Sequence, residues 1–465
     1  EDRYQNALGL KYDLEKVFEY WQQGNNLTFT LGSKDISQEF NIPQQLFGRE
    51  QELSFLFNQY KQAVSGRPEI VAVAGYAGIG KSSLINELHK PIAETKGLFL
   101  SGKFEQYAQN SPYTAIKQAF RTWLRYTLAL QLGDLHQLQD KLRQALSDNS
   151  KILVHFLPEL EKVLGEQPEV PDLTPLENQN RLNLALCQFV RSISLAHPLV
   201  LFIDDLQWAD FGTLSLLQNL MQEDTGHFLI LLAYRENDVD HAHPTKLALK
   251  QIKQLQTLNL HVLSENVVGQ LLSDILHQPR GNLAELSDVV QQHTAGNPFY
   301  LKAFLKQLYQ ADMLYFDLKQ TCWCWDIEQI KTKAVSDNVV DLLLQQIKAL
   351  PEKSRRILHI AACLGTWFDL TRLSIAADES ISECARLLLP ALEAEYIHQE
   401  GGDWSLGMAG VVDLSLLYLN STQNFQAPKC RFAHDRILQA AYHYFDENTL
   451  NQTHLNIGRR LLAYY

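Results

Sequence analysis

The stretch EIVAVAGYAGIGKSSLI, Glu69 to Ile85, decides the fold. Its first seven residues are a continuous apolar run ending in glycine, the pattern of a strand buried on both faces of a parallel sheet. The next segment, Gly75 to Ser82, fits GxxxxGK[ST] with nothing left over. Gly75, Gly78 and Gly80 let backbone N–H groups curl around phosphate oxygens, which a Cβ would obstruct. The loop through Tyr76, Ala77 and Ile79 is therefore expected to cradle a polyphosphate. Lys81 should reach its outer phosphates, the Ser82 hydroxyl should ligate Mg²⁺, and a helix from Ser82 and Ser83 to His89 should aim its positive end at the anion.

Similar apolar runs recur at GLFLSG (97–102), PLVLFID (198–204) and HFLILLAYR (227–235), with LNLHVL (258–263) as a weaker fifth. Helical periodicity separates them over 113–131, 134–147, 151–164 and 178–196. Strands alternating with helices predict an α/β domain built on a parallel sheet. In such a sheet ligands bind at the carboxyl ends of the strands, and three charged residues stand there. Asp204 is placed to hold Mg²⁺, Asp205 to polarise an attacking water as general base, and Arg235 to sense a γ-phosphate with its planar fork. No NKxD guanine signature occurs, so adenine is the expected base and ATP/ADP with Mg²⁺ the expected cofactors. Lys103, Arg181, Arg191 and His293 are further cations that nothing in the sequence places.

After residue 264 the strands stop. Helical patterns cover 265–277, 283–293 and 299–311, and a β-like patch, MLYFDLKQTCWCWDI, follows. A second helical group (338–349, 353–364, 369–377, 381–394) ends in YIHQEGGDW and CRFAH, the helix-then-strand-pair order of a winged helix. The expected division is a terminal helix at 1–23, a linker at 24–43, the nucleotide domain at 44–263, a helical domain with a β hairpin at 264–335, a winged helix at 336–448, and a further helix from 449.

The composition is globular: 46% apolar residues, 20% charged, and a formal charge of −12, which favours neither nucleic acid nor an anionic membrane. The longest apolar runs are strand-sized, far short of a membrane span. Six cysteines without a CxxC make no disulfide framework. Cys322 and Cys324 form a lone CxC, read as packing rather than metal binding. A cytoplasmic piece of a longer protein fits these features.

Four stretches now stand in order: FGRE at 47–50, GYAGIGKS at 75–82, LFIDDLQWAD at 201–210 and GNPFYL at 296–301. Together they resemble the STAND class of signal-transduction ATPases, in the AAA-related branch, over about residues 44–448. The resemblance implies that Phe47, Gly48 and Arg49 border the adenine and that Pro298 of the GNP turn lies on the nucleotide. It also implies that His434 of FAHD touches the β-phosphate of bound ADP. Residues 1–20 are similar to the last helix of eukaryotic-type Ser/Thr kinase domains, including Arg3. That implies a bacterial multidomain parent with a kinase upstream and helical-repeat or sensor domains downstream. No kinase motif lies in this chain. The expected function is a slowly hydrolysing switch, closed with ADP and open with ATP, with a homo-oligomer expected in the ATP state. The alternatives are a winged-helix DNA-binding initiator, disfavoured by the acidic segment 378–400, and a ring-forming remodelling ATPase, for which no arginine finger follows the sensor strand.

Overall fold

The apolar runs become the strands of one sheet, and their position in it explains how strongly each one reads. The strands are β1 (Glu69–Gly75), β2 (Leu98–Lys103), β3 (Leu199–Asp204), β4 (Phe228–Arg235) and β5 (Gln256–Leu260). All pairings are parallel, in the order β2-β3-β4-β1-β5. The inner strands β3, β4 and β1 are buried almost throughout. The edge strand β5 alternates with exposed positions, which is why LNLHVL reads weakly.

This computed structural model describes residues 7–22, 31–32, 40–43, 45–104, 112–129, 132–146, 149–168, 174–222, 225–240, 242–318, 320–333, 347–399, 428–445 and 447–464. The chain divides into two units, Glu1–Thr332 and Lys333–Tyr465.

In the first unit, alternate residues of β1 and β4 enter different cores. Ile70, Ala72, Ile230 and Leu232 join the helices Thr114–Leu128 and Pro175–Ala196 on one face. Val71, Val73, Leu229 and Leu231 face the helices Glu50–Val64 and Lys81–Asn86 on the other. Two covered faces are what an all-parallel sheet requires.

Several boundaries differ from the sequence reading for local reasons. The expected helix 82–89 is two short ones, Lys81–Asn86 and His89–Glu94. Pro91 has no N–H for the Glu87 carbonyl, so the ladder cannot run through. The expected helix 151–164 breaks likewise at Pro158, into Ser150–Phe156, a 3₁₀ turn at Pro158–Leu160, and Glu161–Leu164. The helix expected from 178 starts at Pro175, because Thr174 and Glu177 form a reciprocal capping box.

Beyond β5 the first unit continues through the helices Glu265–Leu276, Ala284–Thr294 and Pro298–Gln310. They lead to an antiparallel hairpin, β6 (Leu314–Asp317) with β7 (Cys322–Trp325). Trp323 is almost fully buried there, in ring contact with Phe40, Tyr309 and Phe316.

The second unit holds the helices Glu352–Leu364, Leu370–Ala377 and Ile381–Glu393, with a small antiparallel sheet of β8 (Trp367–Asp369), β9 (Ile397–Gln399) and β10 (Lys429–Phe432) in the order β8-β10-β9. β8 follows the first of these helices, and β9 and β10 follow the third, so the sheet gains a strand that the expected helix-then-strand-pair order does not include. The expected helix 338–349 lies outside the described residues except for 347–349, as do Arg3 and the segment after Gln399 up to Pro428. Among the described residues no helix is long and apolar enough to cross a membrane.

Candidate functional site

Parallel pairing brings the ends of β1, β2, β3 and β4 to one edge of the sheet. Gly75 lies opposite Arg235, and Lys103 opposite Asp204. Residues more than 100 positions apart in sequence therefore surround the loop 75–82.

The loop turns through left-handed glycines. Gly78 has φ +78°, and a Cβ there would stand 2.8 Å from the Phe299 Cβ. Lys81 opens the helix beyond the loop, is largely buried, and its Nζ donates to the carbonyls of Gly75 at 2.9 Å and Tyr76 at 3.0 Å. Its ammonium is thus held over the loop's own mouth. Ser82 Oγ donates to Asp204 Oδ2 at 2.8 Å. This hydroxyl–carboxylate pair is an all-oxygen donor set of the kind a hard divalent cation takes, so Ser82 and Asp204 fit the expected Mg²⁺. Burial, followed by the charge of Asp205, raises the Asp204 pKa above the ordinary carboxylate value, while Lys103 and the Ser82 hydrogen bond oppose the rise.

Asp205 stands in the left-handed region at φ 52°, which an aspartate tolerates. Both of its oxygens are engaged. Oδ2 pairs with Lys103 Nζ at 3.0 Å, and Oδ1 with Arg235 Nε at 3.2 Å. Gln207, buried, donates from Nε2 to Asp205 Oδ1 at 2.8 Å and accepts from the Arg235 N–H at 3.1 Å. The candidate base and the candidate sensor are therefore joined directly, and Gln207 ties the main chain of one to the side chain of the other.

The opposite rim of the loop is made of neutral contacts. Asn297 Nδ2 donates to the Ala77 carbonyl at 3.0 Å, and the Phe299 N–H lies 3.3 Å from the Gly78 carbonyl. Asn297 Oδ1 also caps the helix Pro298–Gln310 by accepting from Phe299 N at 3.1 Å. Gly296, at φ +71°, leaves no room for a side chain, since a Cβ would fall on the Leu263 carbonyl. Pro298 occupies the first turn of that helix, where its missing N–H costs nothing.

Arg49 is buried and donates to the His261 carbonyl at 2.6 Å, to Glu52 at 3.0 Å and to the Ile79 carbonyl at 3.5 Å. It ties the segment before the helix Glu50–Val64 to the loop and to the chain after β5. Gly48 lies against Val267, and Phe47 beside it is partly buried. His434 belongs to the second unit. There its Nδ1 accepts from Arg436 N at 3.1 Å and caps the helix Asp435–Tyr442, which places the ring proton of the neutral form on Nε2.

Of the cations that the sequence leaves unplaced, Lys103 joins the site. Arg181 bonds Asn149 instead, and His293 bonds the Val289 carbonyl and stacks on Phe304. The sequence assigns no role to the side chains of Gln207 and Asn297. Asp210, for which the sequence suggests no role, accepts from Tyr113 N at 2.9 Å and from Thr213 N and Oγ1. It pins the start of the helix Thr114–Leu128 beside the helix Phe211–Gln222.

The chain is similar in sequence to known signalling proteins. The chain is 27% identical to the hybrid signal transduction histidine kinase G of Dictyostelium discoideum over an alignment covering all of this chain and 16% of that protein. It is 22% identical to the peroxide stress-activated histidine kinase mak3 of Schizosaccharomyces pombe, over 79% of this chain and 19% of the relative. The chain thus spans less than a fifth of either protein. Both are eukaryotic histidine kinases, and the expectation of a bacterial Ser/Thr kinase parent finds no support in them. Among solved structures, a STAND protein with a tetratricopeptide repeat sensor from Pyrococcus horikoshii covers 92% of this chain and 47% of its own, at 13% identity and TM-score 0.44. Cdc6p from Pyrobaculum aerophilum covers 91% of this chain and 96% of its own, at 13% identity and TM-score 0.37. Residues 45–232, which hold the phosphate loop and both aspartates, match the family described as the AAA ATPase domain.

Proposed function

We propose that this chain is a nucleotide-operated regulatory switch within a larger signalling protein. ATP occupies the loop Gly75–Ser83, with Lys81 on its outer phosphates and Mg²⁺ at Ser82 and Asp204. Phe47, Gly48 and Arg49 border the base, and Pro298 packs on the nucleotide from the helical segment. The domain limits given above, 44–263, 264–335 and 336–448, belong to this reading.

The observation that supports it most is the Asp205–Arg235 pair. A γ-phosphate presents three anionic oxygens and competes with Asp205 for the guanidinium of Arg235. Drawing Arg235 away leaves Oδ1 of Asp205 with the neutral Gln207 amide beside it, able to take the proton of an attacking water, which yields ADP and phosphate. Lys103 stays on the other oxygen, so turnover is slow. A slow step suits a timed reset better than metabolic throughput. ATP and ADP then favour different arrangements to the extent that Arg235 favours the first and His434, through Nε2–H, the second.

The decisive experiment is binding of ADP and ATP to the purified chain by calorimetry, with the mass of the protein measured in each. ADP held tightly, and weakened by His434→Ala, is the expected outcome. If His434→Ala leaves ADP affinity and mass unchanged, the latch is wrong. A DNA-reading role is not proposed. Arg386, the sole basic residue of the helix Ile381–Glu393, is paired with Glu383 at 2.8 Å. Tight binding of duplex DNA at low salt would overturn that judgement.

A further inference from the structure

Away from the phosphate loop, one pair of nucleophilic side chains is unused by the proposed function. Cys322 and Cys324 sit two residues apart on β7, so their side chains project from the same face of the hairpin. Their partners across the ladder are Asp317 and Tyr315, and Tyr315 is 44% exposed, which marks this face as the outward one. The two Sγ atoms lie 3.8 Å apart. Both residues are partly exposed, whereas Cys187, Cys384 and Cys430 are buried.

We propose that Cys322 and Cys324 form an oxidisable dithiol site that closes to a reversible intrastrand disulfide on reaction with a hydroperoxide. The sulfurs are already in van der Waals contact, so closure to a bond of about 2.05 Å needs no diffusion of either group. Among the described residues no set of three His, Cys, Asp or Glu side chains gathers to hold a metal ion, which disfavours zinc, with its usual four ligands.

The chemistry balances in two steps. The Cys322 thiol attacks the hydroperoxide, the O–O bond breaks, and a sulfenic acid and an alcohol (water, from hydrogen peroxide) result. The Cys324 thiol then attacks the sulfenic sulfur, an S–S bond forms, and water leaves with the thiol proton. Burial and the neighbouring Cys322 push the Cys324 thiol up to about 11, and the balance is the same whichever sulfur attacks first.

Strand geometry makes the bond strained and therefore readily reduced. Residues i and i+2 of an extended strand have Cα atoms about 6.6–6.8 Å apart. Disulfides span at most about 6.8 Å and prefer about 5.5–6 Å. Closure must shorten β7 by up to about 1 Å, and the residue between the two sulfurs is Trp323. Its buried indole, packed on Phe40, Tyr309 and Phe316, has to move with the strand. Strained disulfides have the more oxidising potentials typical of labile, regulatory bonds.

The test uses the whole chain, reduced and then treated with hydrogen peroxide, alkylated and digested with trypsin. The peptide 320–331 contains both cysteines and no other. It should become lighter by two hydrogens, lose about tenfold in alkylation, and recover both with dithiothreitol. Tryptophan fluorescence should shift in step with it. Cys322→Ser and Cys324→Ser should each abolish the mass change and the shift while leaving the far-ultraviolet spectrum intact. Three results would overturn the proposal: both thiols stay alkylatable after peroxide; Cys322 passes to the sulfinic acid with Cys324 untouched; or protection is lifted by a chelator and not by dithiothreitol, which would mean a thiolate-bound metal.

Discussion

The phosphate loop has two rims, and they are built from different forces. On the side of β2, β3 and β4, Lys103, Asp205 and Arg235 form a charged chain in which each member offsets another. On the side of the helix Pro298–Gln310, Asn297 and Phe299 meet the carbonyls of Ala77 and Gly78 through neutral hydrogen bonds. A charged rim answers to the charge of what arrives. A neutral rim answers only to where the loop sits. The first suits telling ATP from ADP, the second suits reporting that the loop has moved.

The strongest challenge to this contrast is Asp205→Ala. It leaves Lys103 and Arg235 facing each other without their shared anion, and should cost the nucleotide-free protein about 3 kcal/mol in urea unfolding. A loss below about 1 kcal/mol would mean that the charged rim is no coupled unit. Lys81→Ala comes next. Removing the ammonium from the loop should weaken ATP binding about 50-fold in calorimetry, by the loss of charge-assisted hydrogen bonds worth about 2–3 kcal/mol. Asn297→Ala removes both a cap and the contact to Ala77, for about 1–2 kcal/mol in urea unfolding. That loss should stay constant when ionic strength rises about tenfold, because no charge is involved. A salt-dependent loss would erase the distinction between the rims. The smallest effect is expected for Lys103→Met, under about 1 kcal/mol and shrinking with salt, since this side chain is 27% exposed and Arg235 still offsets Asp205.

The sequence reveals the parts of the site that depend on neighbours in the chain. The loop 75–82 declares itself because cradling phosphate needs glycines and a lysine at fixed spacing. Asp204 and Asp205 follow from a buried strand ending in acid. The three inner strands are placed to within a residue or so, since burial on both faces leaves an unbroken apolar run. Partnership across the sheet is another matter. β3 and β4 are sequential neighbours, but β2 reaches β3 only after the helices from 114 to 196, so nothing in the text joins Lys103 to Asp205. Gln207 reads as one more polar residue in a turn until its amide is seen between Asp205 and the Arg235 main chain. The asparagine of the GNP turn reads as an ordinary cap, and its second contact, to Ala77, spans 220 positions. The broken helices at Pro91 and Pro158 were legible in principle, because each proline removes a donor that the ladder needs.

The helix Pro298–Gln310 connects two features described separately. Its first turn rests on Ala77 and Gly78, and near its last turn the Tyr309 ring meets the Trp323 indole, 5.9 Å between centroids. Thirteen residues make a rod about 20 Å long. Pivoted at the loop, a tilt of only ~5° carries Tyr309 through ~1.5 Å, by the length of the rod alone. A movement too small to break the hydrogen bonds at Asn297 would, by leverage, be large enough to repack an indole.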